Sequence, residues 1–233
     1  MANSAKEHRI RDYIFQKMDE MYKDTERRLP SENEIARRFN ISRYSVRSLY
    51  DNLEEMGLLV SKQGVGRFPN KDKPEIHLSM NSISFTKKMQ AQNIPFVTKN
   101  LGVEKIQGPD IQYFHKLGLE GDIYGIKRLR ILHNHPAAIH ASYISSNRFP
   151  NIEEEGNKIT SISQYYQDKG IAKLDSPQTK ISIKFPTSQD MKILECKSLV
   201  PLLLANSIVY DKEGKVLEVT EIKYRSDIFE YII

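Results

Sequence analysis

The chain has 233 residues, of which 39% are hydrophobic and 28% are charged, and this balance is typical of a globular protein rather than a disordered one. No apolar stretch approaches the ~20 residues that a bilayer-spanning helix needs, and residues 1–10 lack the apolar core of a signal peptide. A single cysteine, Cys196, excludes an internal disulfide and a cysteine-based zinc site. We therefore expect a cytoplasmic protein without a membrane partner.

The first predicted element is an amphipathic helix over residues 6–23. Its apolar residues recur at spacings of three and four, as a single buried face requires: Ile10, Ile14, Met18 and Met21. Ser31 and Glu34 then form a capping-box pattern, which predicts the start of a second helix. This helix is expected to end near Phe39 and Asn40, because asparagine accepts a left-handed turn conformation.

A third helix is predicted to start after Ser42 and to end before Gly57. Its inward residues are expected to be Val46, Leu49, Leu53 and Met56. Residues 58–61 and 67–68 are strand-like segments on either side of a glycine-containing turn, a pattern that predicts a β-hairpin. The polar, proline-containing residues 71–82 are predicted to be a linker.

Residues 83–233 have a different pattern and form the second predicted domain, after a first domain of residues 1–70. The predicted strands are Ile94–Lys105, Ile123–His133, Ala138–Ser145, Gln178–Lys184, Leu202–Tyr210 and Val216–Arg225. The predicted helices are Ser84–Gln92, Gly108–Leu117, Thr160–Lys169 and Ser188–Leu194. The expected class is α+β, with helices on one side of an antiparallel sheet.

The three helices and the hairpin of the first domain predict a winged helix-turn-helix, whose third helix fits the major groove of DNA. Residues 35–50 carry four arginines and no acidic residue, although the net charge of the chain is only +5. Arg43 and Arg47 are four residues apart and share one helix face. Gly64 and Gly66 allow the hairpin to approach DNA closely. On charge alone, an ordinary solvated helix face is the alternative.

Four motifs follow one another at fixed spacing in the first domain: Leu-Pro-Ser-Glu-x-Glu-Ile-Ala at 29–36, Ser-Arg-x-Ser-Val-Arg-x-Leu at 42–49, Leu-x-x-Met-Gly at 53–57 and Gly-x-Gly-x-Phe at 64–68. Together they closely resemble the GntR family of bacterial regulators. The resemblance implies that Arg43 and Arg47 are the main DNA contacts. Family members commonly have threonine where Ser45 and Arg67 stand. The full set of expected DNA-binding residues is Ser31, Glu32, Ser42, Arg43, Tyr44, Ser45, Arg47, Lys62, Gln63, Gly64, Gly66 and Arg67.

The second domain carries an ordered set of shorter motifs, among them Ser-Phe-Thr-x-x-Met at 84–89, Arg-Leu-Arg at 128–130, Ser-Tyr-Ile at 142–144, Pro-Leu-Leu at 201–203 and Tyr-Arg-x-Asp at 224–227. This set resembles the HutC subfamily, whose effector-binding and dimerisation domain, called UTRA, has a chorismate-lyase-like fold. The resemblance implies an effector pocket lined by Ser84, Phe85, Thr86, Arg128, Arg130, His140, Ser161, Ser163 and Glu218.

Arg128 and Arg130 alternate along a predicted strand, so both project to one face. Two guanidinium groups on one face suit an anionic ligand, because each can bind a phosphate or carboxylate through two hydrogen bonds. The alternative is that each pairs with a carboxylate such as Glu218 or Asp227. Sugar-binding relatives often carry glutamate where His140 stands, and a histidine there can become cationic. A phosphorylated sugar or an organic acid is therefore the expected effector.

These features predict a repressor that binds a palindromic operator in double-stranded DNA as a homodimer and is released by its effector. An activator of the same architecture is an alternative, as is an enzyme that uses the lyase-like domain. Against an enzyme, the sequence shows no nucleophile–base pair and no glycine-rich phosphate loop, and no cofactor is expected. His133, His135 and His140 raise the hypothesis of a metal site, but no carboxylate lies at a suitable spacing.

Overall fold

The computed structural model describes residues 2–23, 28–70, 76–79, 84–171 and 174–232. The chain divides into two compact units. One is formed by Met1–Pro74 with Lys197–Val200, and the other by Glu75–Cys196 with Pro201–Ile233. Within the described ranges, the structure contains no helix that is both long enough and apolar enough to cross a membrane.

The N-terminal unit contains the predicted helices and β-hairpin. The helices are α1 (Ala2–Lys23), α2 (Glu32–Phe39) and α3 (Arg43–Glu55), and the strands are β1 (Leu59–Lys62) and β2 (Gly66–Pro69). The capping box of α2 is present, because Glu34 N donates to Ser31 Oγ at 3.3 Å and Ser31 N donates to Glu34 Oε2 at 2.5 Å. Asn40 ends the helix in the left-handed conformation, with a φ of 50°.

The helices of this unit share one apolar core. Four residues of α1 are buried in it and confirm the predicted face: Ile10, Ile14, Met18 and Met21. Helix α2 contributes Ile35, and α3 contributes Val46 and Leu53 as predicted, with Leu49 half-buried beside them. Leu59 of β1 completes the core. Burial of one face of each helix, rather than helix propensity, stabilises the unit.

The inward face of α3 differs from the prediction at its end. Met56 was expected to point inward, but 37% of its surface is exposed, and the fully buried residue is Tyr50. The hydroxyl of Tyr50 donates a hydrogen bond to the carbonyl oxygen of Pro30 at 2.6 Å. The prediction for Met56 is wrong because α3 ends at Glu55, so Met56 lies beyond the last helical turn.

The C-terminal unit has the predicted α+β composition. Its strands are β3 (Ile76–Ser79), β4 (Phe96–Lys105), β5 (Ile123–Leu132), β6 (His135–Ser145), β7 (Thr179–Lys184), β8 (Leu202–Tyr210), β9 (Val216–Arg225) and β10 (Phe229–Ile232). Its helices are α4 (Phe85–Ala91), α5 (Pro109–Lys116), α6 (Ile152–Glu155), α7 (Ile162–Asp168) and α8 (Ser188–Leu194). Strands β4 to β9 form one antiparallel sheet in the order β4-β5-β6-β9-β8-β7.

Helices cover both faces of this sheet, so the prediction that they lie on one side is wrong. Leu194 of α8 packs with Leu129 and Ile139. Phe85 of α4 packs in another cluster with Ala138, the neighbour of Ile139 on β6. Successive residues of a strand point to opposite faces, which places α4 and α8 on opposite sides of the sheet.

The first and last strands of the unit, β3 and β10, pair with each other in parallel, with Ile76 opposite Phe229. Ile76 and Leu78 are buried in the cluster that also holds Phe229. The prediction that residues 71–82 are all linker is therefore wrong at residues 76–79. A strand of four residues is too short to show a clear alternation of apolar and polar residues, and its partner strand is distant in sequence, so the sequence pattern did not reveal it.

We expect Tyr50→Phe to destabilise the N-terminal unit by about 1–2 kcal/mol, because the Pro30 carbonyl loses its buried hydrogen-bond donor. Urea denaturation followed by circular dichroism measures the change. Tyr44→Phe removes the same hydroxyl from a side chain that is 82% exposed, so it serves as the matched control. Equal stabilities for Tyr50→Phe and wild type would contradict the assigned role of the hydroxyl.

Candidate functional site

The outer face of α3 presents two cations and an aromatic ring to solvent. The side chains of Arg43 and Arg47 are 67% and 66% exposed, and Tyr44 is also exposed. Ser42 caps the helix, because Ser45 N donates to its Oγ at 3.1 Å, and the two serine hydroxyls lie 2.8 Å apart. The start of α3 is thus fixed by its cap, while the arginines project from its first two turns.

The hairpin turn provides a second exposed surface. Lys62, Gln63 and Gly64 are all exposed. Gly64 has a φ of 74° and open space where a β-carbon would lie. Gly66 has a φ of 141°, and a β-carbon there would lie 3.3 Å from the side chain of Arg28. Both glycines therefore have conformations that side chains rarely adopt, and the turn stays slim at its tip.

Two of the residues predicted to contact DNA are largely withdrawn from solvent. The Glu32 side chain is 13% exposed and lies between Arg43, at 3.0 Å, and Arg67, at 2.9 Å. The Arg67 side chain is 20% exposed. Ser31 is exposed, but its hydroxyl accepts the capping hydrogen bond of α2. The structure thus places Glu32 and Arg67 inside a network of ion pairs beneath the exposed arginines.

The C-terminal unit contains a cavity of about 210 Å³ on the face of the sheet that α4 covers. A single water needs only about 10–15 Å³, so the space suits a small metabolite. The cavity is lined by all nine residues predicted for the effector pocket: Ser84, Phe85, Thr86, Arg128, Arg130, His140, Ser161, Ser163 and Glu218. Their roles as ligand contacts stay predictions. Strand alternation and register explain the grouping, because Arg128 of β5 lies directly opposite His140 of β6.

Both arginines on β5 are buried and partly satisfied by neutral groups. Arg128 Nη2 donates to the hydroxyl of Ser142. Arg130 Nη1 donates to the hydroxyl of Thr98 and to the carbonyl oxygen of Thr160, the latter at 3.1 Å. Burial lowers the pKa of Arg130 to about 9, with a further contribution from the neighbouring charge of Arg128, so the group stays cationic at neutral pH.

Several buried polar atoms around the cavity have no hydrogen-bond partner among the described residues. They are Arg128 Nε, Arg130 Nε, His140 Nε2, Ser176 Oγ and Glu218 Oε1. Buried polar groups are nearly always satisfied in folded proteins, and leaving one unsatisfied is unfavourable. The cavity therefore offers unused donors and at least one unused acceptor to whatever occupies it.

Two family models match the chain. The model for bacterial regulatory proteins of the gntR family matches residues 7–68, and the UTRA domain model matches residues 92–230. The chain belongs to the GntR family of regulators and carries a UTRA domain. This is a family of regulatory proteins, not of enzymes, and the predicted fold class is confirmed in both parts.

Curated relatives span most of the chain. It is 27% identical over 201 residues to the "Probable fructoselysine utilization operon transcriptional repressor" of Escherichia coli (strain K12), covering 85% of this chain and 82% of the relative. It is 26% identical over 205 residues to the HTH-type transcriptional repressor NagR of Bacillus subtilis (strain 168), covering 88% of this chain and 84% of NagR.

A solved structure shares the fold along nearly the whole chain. The crystal structure of PhnF from Mycobacterium smegmatis matches with a TM-score of 0.59 and 18% identity, covering 96% of this chain and 98% of PhnF. The crystal structure of the PhnF effector domain alone matches with a TM-score of 0.58 over 68% of this chain. The fold of this chain is therefore shared with PhnF.

In the described part of the UTRA domain, no carboxylate forms a close ion pair with the cavity arginines. Asp227 pairs with Arg225, at 2.8 Å, which rules out the predicted alternative for that residue. Glu218 accepts a hydrogen bond from the Tyr166 hydroxyl at 3.2 Å. Burial raises the pKa of Glu218, although the charge of Arg128 opposes the shift. Among the described residues, neither cavity arginine lies within ion-pair distance of a carboxylate.

His140 differs from the expectation that it can become cationic. It is buried, and its ring makes T-shaped contacts with the rings of Phe85 and Tyr224, whose centroids lie 5.0 and 5.6 Å away. Burial, followed by the charges of Arg130 and Arg128, holds the pKa of His140 well below 6.5. His140 is therefore neutral at physiological pH and offers one donor and one acceptor nitrogen.

The three histidines of the metal hypothesis do not come together. His133 and His135 lie exposed at the β5–β6 turn, where His133 and Asn134 have φ values of 48° and 65°. His140 faces the cavity instead. In the part of the chain that the structure describes, no group of three or more potential metal-ligating side chains forms.

The cavity also contains residues that the sequence analysis did not single out. Ser142 and Thr220 each follow a predicted pocket residue by two positions on the same strand, so alternation could have identified both. Lys88 lies one helical turn from Ser84 and could have been found from helical spacing. Burial lowers the pKa of Lys88. No local pattern identifies Ser176, because it lies in an irregular segment.

We expect His140→Gln to reduce the loss of stability of the UTRA domain below pH 6.5. The unfolded chain protonates this histidine near pH 6.5, whereas the folded chain does not, so acidification favours unfolding by up to about 1.4 kcal/mol per pH unit. Glutamine removes that contribution. Denaturation between pH 5 and 8 measures the slope, with exposed His135→Gln as the control. Identical slopes for His140→Gln and wild type would show that His140 is protonated in the folded state.

Proposed function

We propose that the chain is a cytoplasmic transcriptional repressor that binds operator DNA through its N-terminal unit and is released by a small anionic metabolite bound in the UTRA cavity. The observation that carries this proposal is the set of unsatisfied buried polar atoms around one cavity. Such a set is unfavourable without a ligand, and a ligand that satisfies it selects the conformation to which it binds. The relatives from Escherichia coli and Bacillus subtilis described above are both named as repressors, which supports repression rather than activation.

DNA binding is supported by the surface of the N-terminal unit. Arg43 and Arg47 project from the first two turns of α3, which is the part of a recognition helix that contacts base edges. Gly64 keeps the hairpin tip slim, and Lys62 and Gln63 beside it supply polar contacts to phosphate. A homodimer with two such units would match a palindromic operator.

The ligand class follows from the chemistry of the cavity. Unused Nε donors on Arg128 and Arg130 favour a phosphate or carboxylate. The unused oxygen of Glu218 needs a donor such as a hydroxyl group. A phosphorylated sugar or a hydroxylated organic acid supplies both groups. The name of the fructoselysine relative, which refers to a sugar derivative, supports the sugar phosphate.

Arg43→Ala is expected to weaken binding to specific DNA by about 1–3 kcal/mol, because a bidentate contact to guanine is lost. The probe is a duplex that the wild-type chain selects from a randomised library. Arg11→Ala removes the same charge from an exposed position on α1 and serves as the control. Wild-type affinity for Arg43→Ala would contradict the assigned recognition face.

A phosphorylated sugar or organic acid that binds the cavity is expected to stabilise the chain by about 2.7 kcal/mol at 100 times its dissociation constant. Thermal denaturation against a panel of both classes measures this. Arg130→Met should abolish the shift and the release of DNA while leaving DNA binding intact. Lys127→Met, on the same strand but outside the cavity lining, should behave as wild type. A retained shift in Arg130→Met would remove Arg130 from the ligand site.

A further inference from the structure

Five charged side chains form an alternating chain of ion pairs across the N-terminal unit. Glu32 contacts Arg43 Nε through Oε2 at 3.0 Å and Arg67 Nη1 through Oε1 at 2.9 Å. Asp51 contacts Arg67 Nη2 through Oδ1 at 3.3 Å and Arg47 Nε through Oδ2 at 3.9 Å. Each carboxylate therefore joins one exposed arginine of α3 to the single arginine at the centre, which comes from β2.

The centre of this chain is held more firmly than its ends. The side chains of Arg67 and Glu32 are 20% and 13% exposed, against 67% and 66% for Arg43 and Arg47. The Arg67 guanidinium carbon lies 4.8 Å from the ring centroid of Tyr50, which is fully buried. A planar guanidinium stacked on an aromatic ring, with each terminal nitrogen bound to a different carboxylate, has little freedom to rotate.

Glu32 remains ionised in this setting. Burial opposes its ionisation, but the hydrogen bonds from Arg43 and Arg67 outweigh burial and lower its pKa below the usual value. The contact to Arg67 is thus charge-assisted, and such bonds are shorter and stronger than neutral ones. A permanent negative charge next to the DNA-facing arginines also repels phosphate, which disfavours binding through charge alone.

The exposed arginines keep their terminal nitrogens for other partners. The ion pairs of Arg43 and Arg47 use Nε in both cases. Among the described residues, no hydrogen bond engages the Nη atoms of either side chain. Two terminal N–H groups of one guanidinium match the O6 and N7 acceptors of guanine. The hydrogen bond that holds Arg43 Nε on Glu32 at 3.0 Å reduces the rotamer entropy that Arg43 would otherwise lose on contact with a base, whereas Arg47 and Asp51, 3.9 Å apart, are held by charge attraction alone.

We propose that Arg67 is a positioning residue, which orients Arg43 and Arg47 through Glu32 and Asp51 and thereby increases the selectivity of the chain among DNA sequences. In this role Arg67 does not contact phosphate, although it is among the residues expected to bind DNA. This inference rests on the proposed DNA-binding function. Under this proposal the exposed arginines contact the bases, and the half-buried Arg67 of β2 keeps them accurately placed.

The test compares affinities of the full chain for two duplexes of equal length over a range of salt concentrations. One duplex is selected by the wild-type chain from a randomised library, and the other has a scrambled sequence. Arg67→Lys keeps the charge but cannot bind two carboxylates through separate nitrogens. The ratio of the two affinities should fall by about fivefold or more, the size of an ordinary coupling between contacting residues. A ratio equal to that of wild type would overturn the proposal.

Arg67→Gln separates positioning from phosphate contact. Loss of one phosphate contact lowers the slope of log affinity against log salt by about 0.9. The positioning role predicts a lower ratio with a slope change of less than half that value. A slope change of the full size would show that Arg67 contacts phosphate and would overturn the proposal. Arg11→Lys and Arg11→Gln, at an exposed position on α1, are the matched controls.

Glu32→Gln tests the proposal through an expected gain of affinity rather than a loss. Removing this negative charge should raise affinity for the scrambled duplex while lowering the ratio, because the general attraction increases as Arg43 loses its anchor. Asp19→Asn, at an exposed position of α1, controls for the charge change alone. A ratio for Glu32→Gln at or above that of wild type would count against the proposal. Failure of the wild-type chain to select any duplex would instead refute the proposed function, so the two failures are distinguishable.

Discussion

Burial of two guanidinium groups side by side on β5 is the constraint around which the UTRA domain is organised. Arg128 and Arg130 are buried on one face of the sheet, where they line a cavity instead of packing against a carboxylate. Burying like charges together is strongly unfavourable, and neutral acceptors on three other segments compensate only in part. Burial lowers the pKa of His140 most, and the charges of Arg130 and Arg128 lower it further, so His140 is neutral beside them. The domain is folded around a positive potential that an anion can neutralise.

In the N-terminal unit, by contrast, the arginines of the ion-pair chain lie next to carboxylates. Every arginine in the chain of ion pairs has a carboxylate neighbour, and the most buried one, Arg67, has two. Charge is balanced locally, and under the positioning role that we propose for Arg67, specificity depends on geometry rather than on excess charge. The two units thus represent two uses of the same side chain. Among the described residues, the cavity arginines have no carboxylate within ion-pair distance, whereas each arginine of the N-terminal chain of ion pairs has at least one.

Elements with strong local signals were predicted well, and features made by long-range contacts were not. The bounds of α2 follow from Ser31 and Asn40, and the cavity residues of β5 follow from alternation. The burial of Arg67 depends on Asp51 and Glu32, which come from other elements, so no pattern within the hairpin reports it. Pairing of β3 with β10 and packing of helices on both faces of the sheet likewise depend on partners distant in sequence. The family resemblance implied which residues line the pocket, and strand alternation placed Arg128 and Arg130 on one face, but neither showed how their charges are compensated.

The parallel pairing of β3 with β10 has a consequence for synthesis of the chain on the ribosome. The N-terminal unit has nearly all of its sequence by residue 70, whereas β3 has no partner until Phe229–Ile232 has been translated. Local contacts form early and long-range pairing forms late, because closing a long loop is entropically unfavourable. The helices and hairpin can therefore fold before β10 is available to bury the apolar side chains of Ile76 and Leu78. During that interval a nascent chain would expose a folded N-terminal unit without a completed UTRA domain.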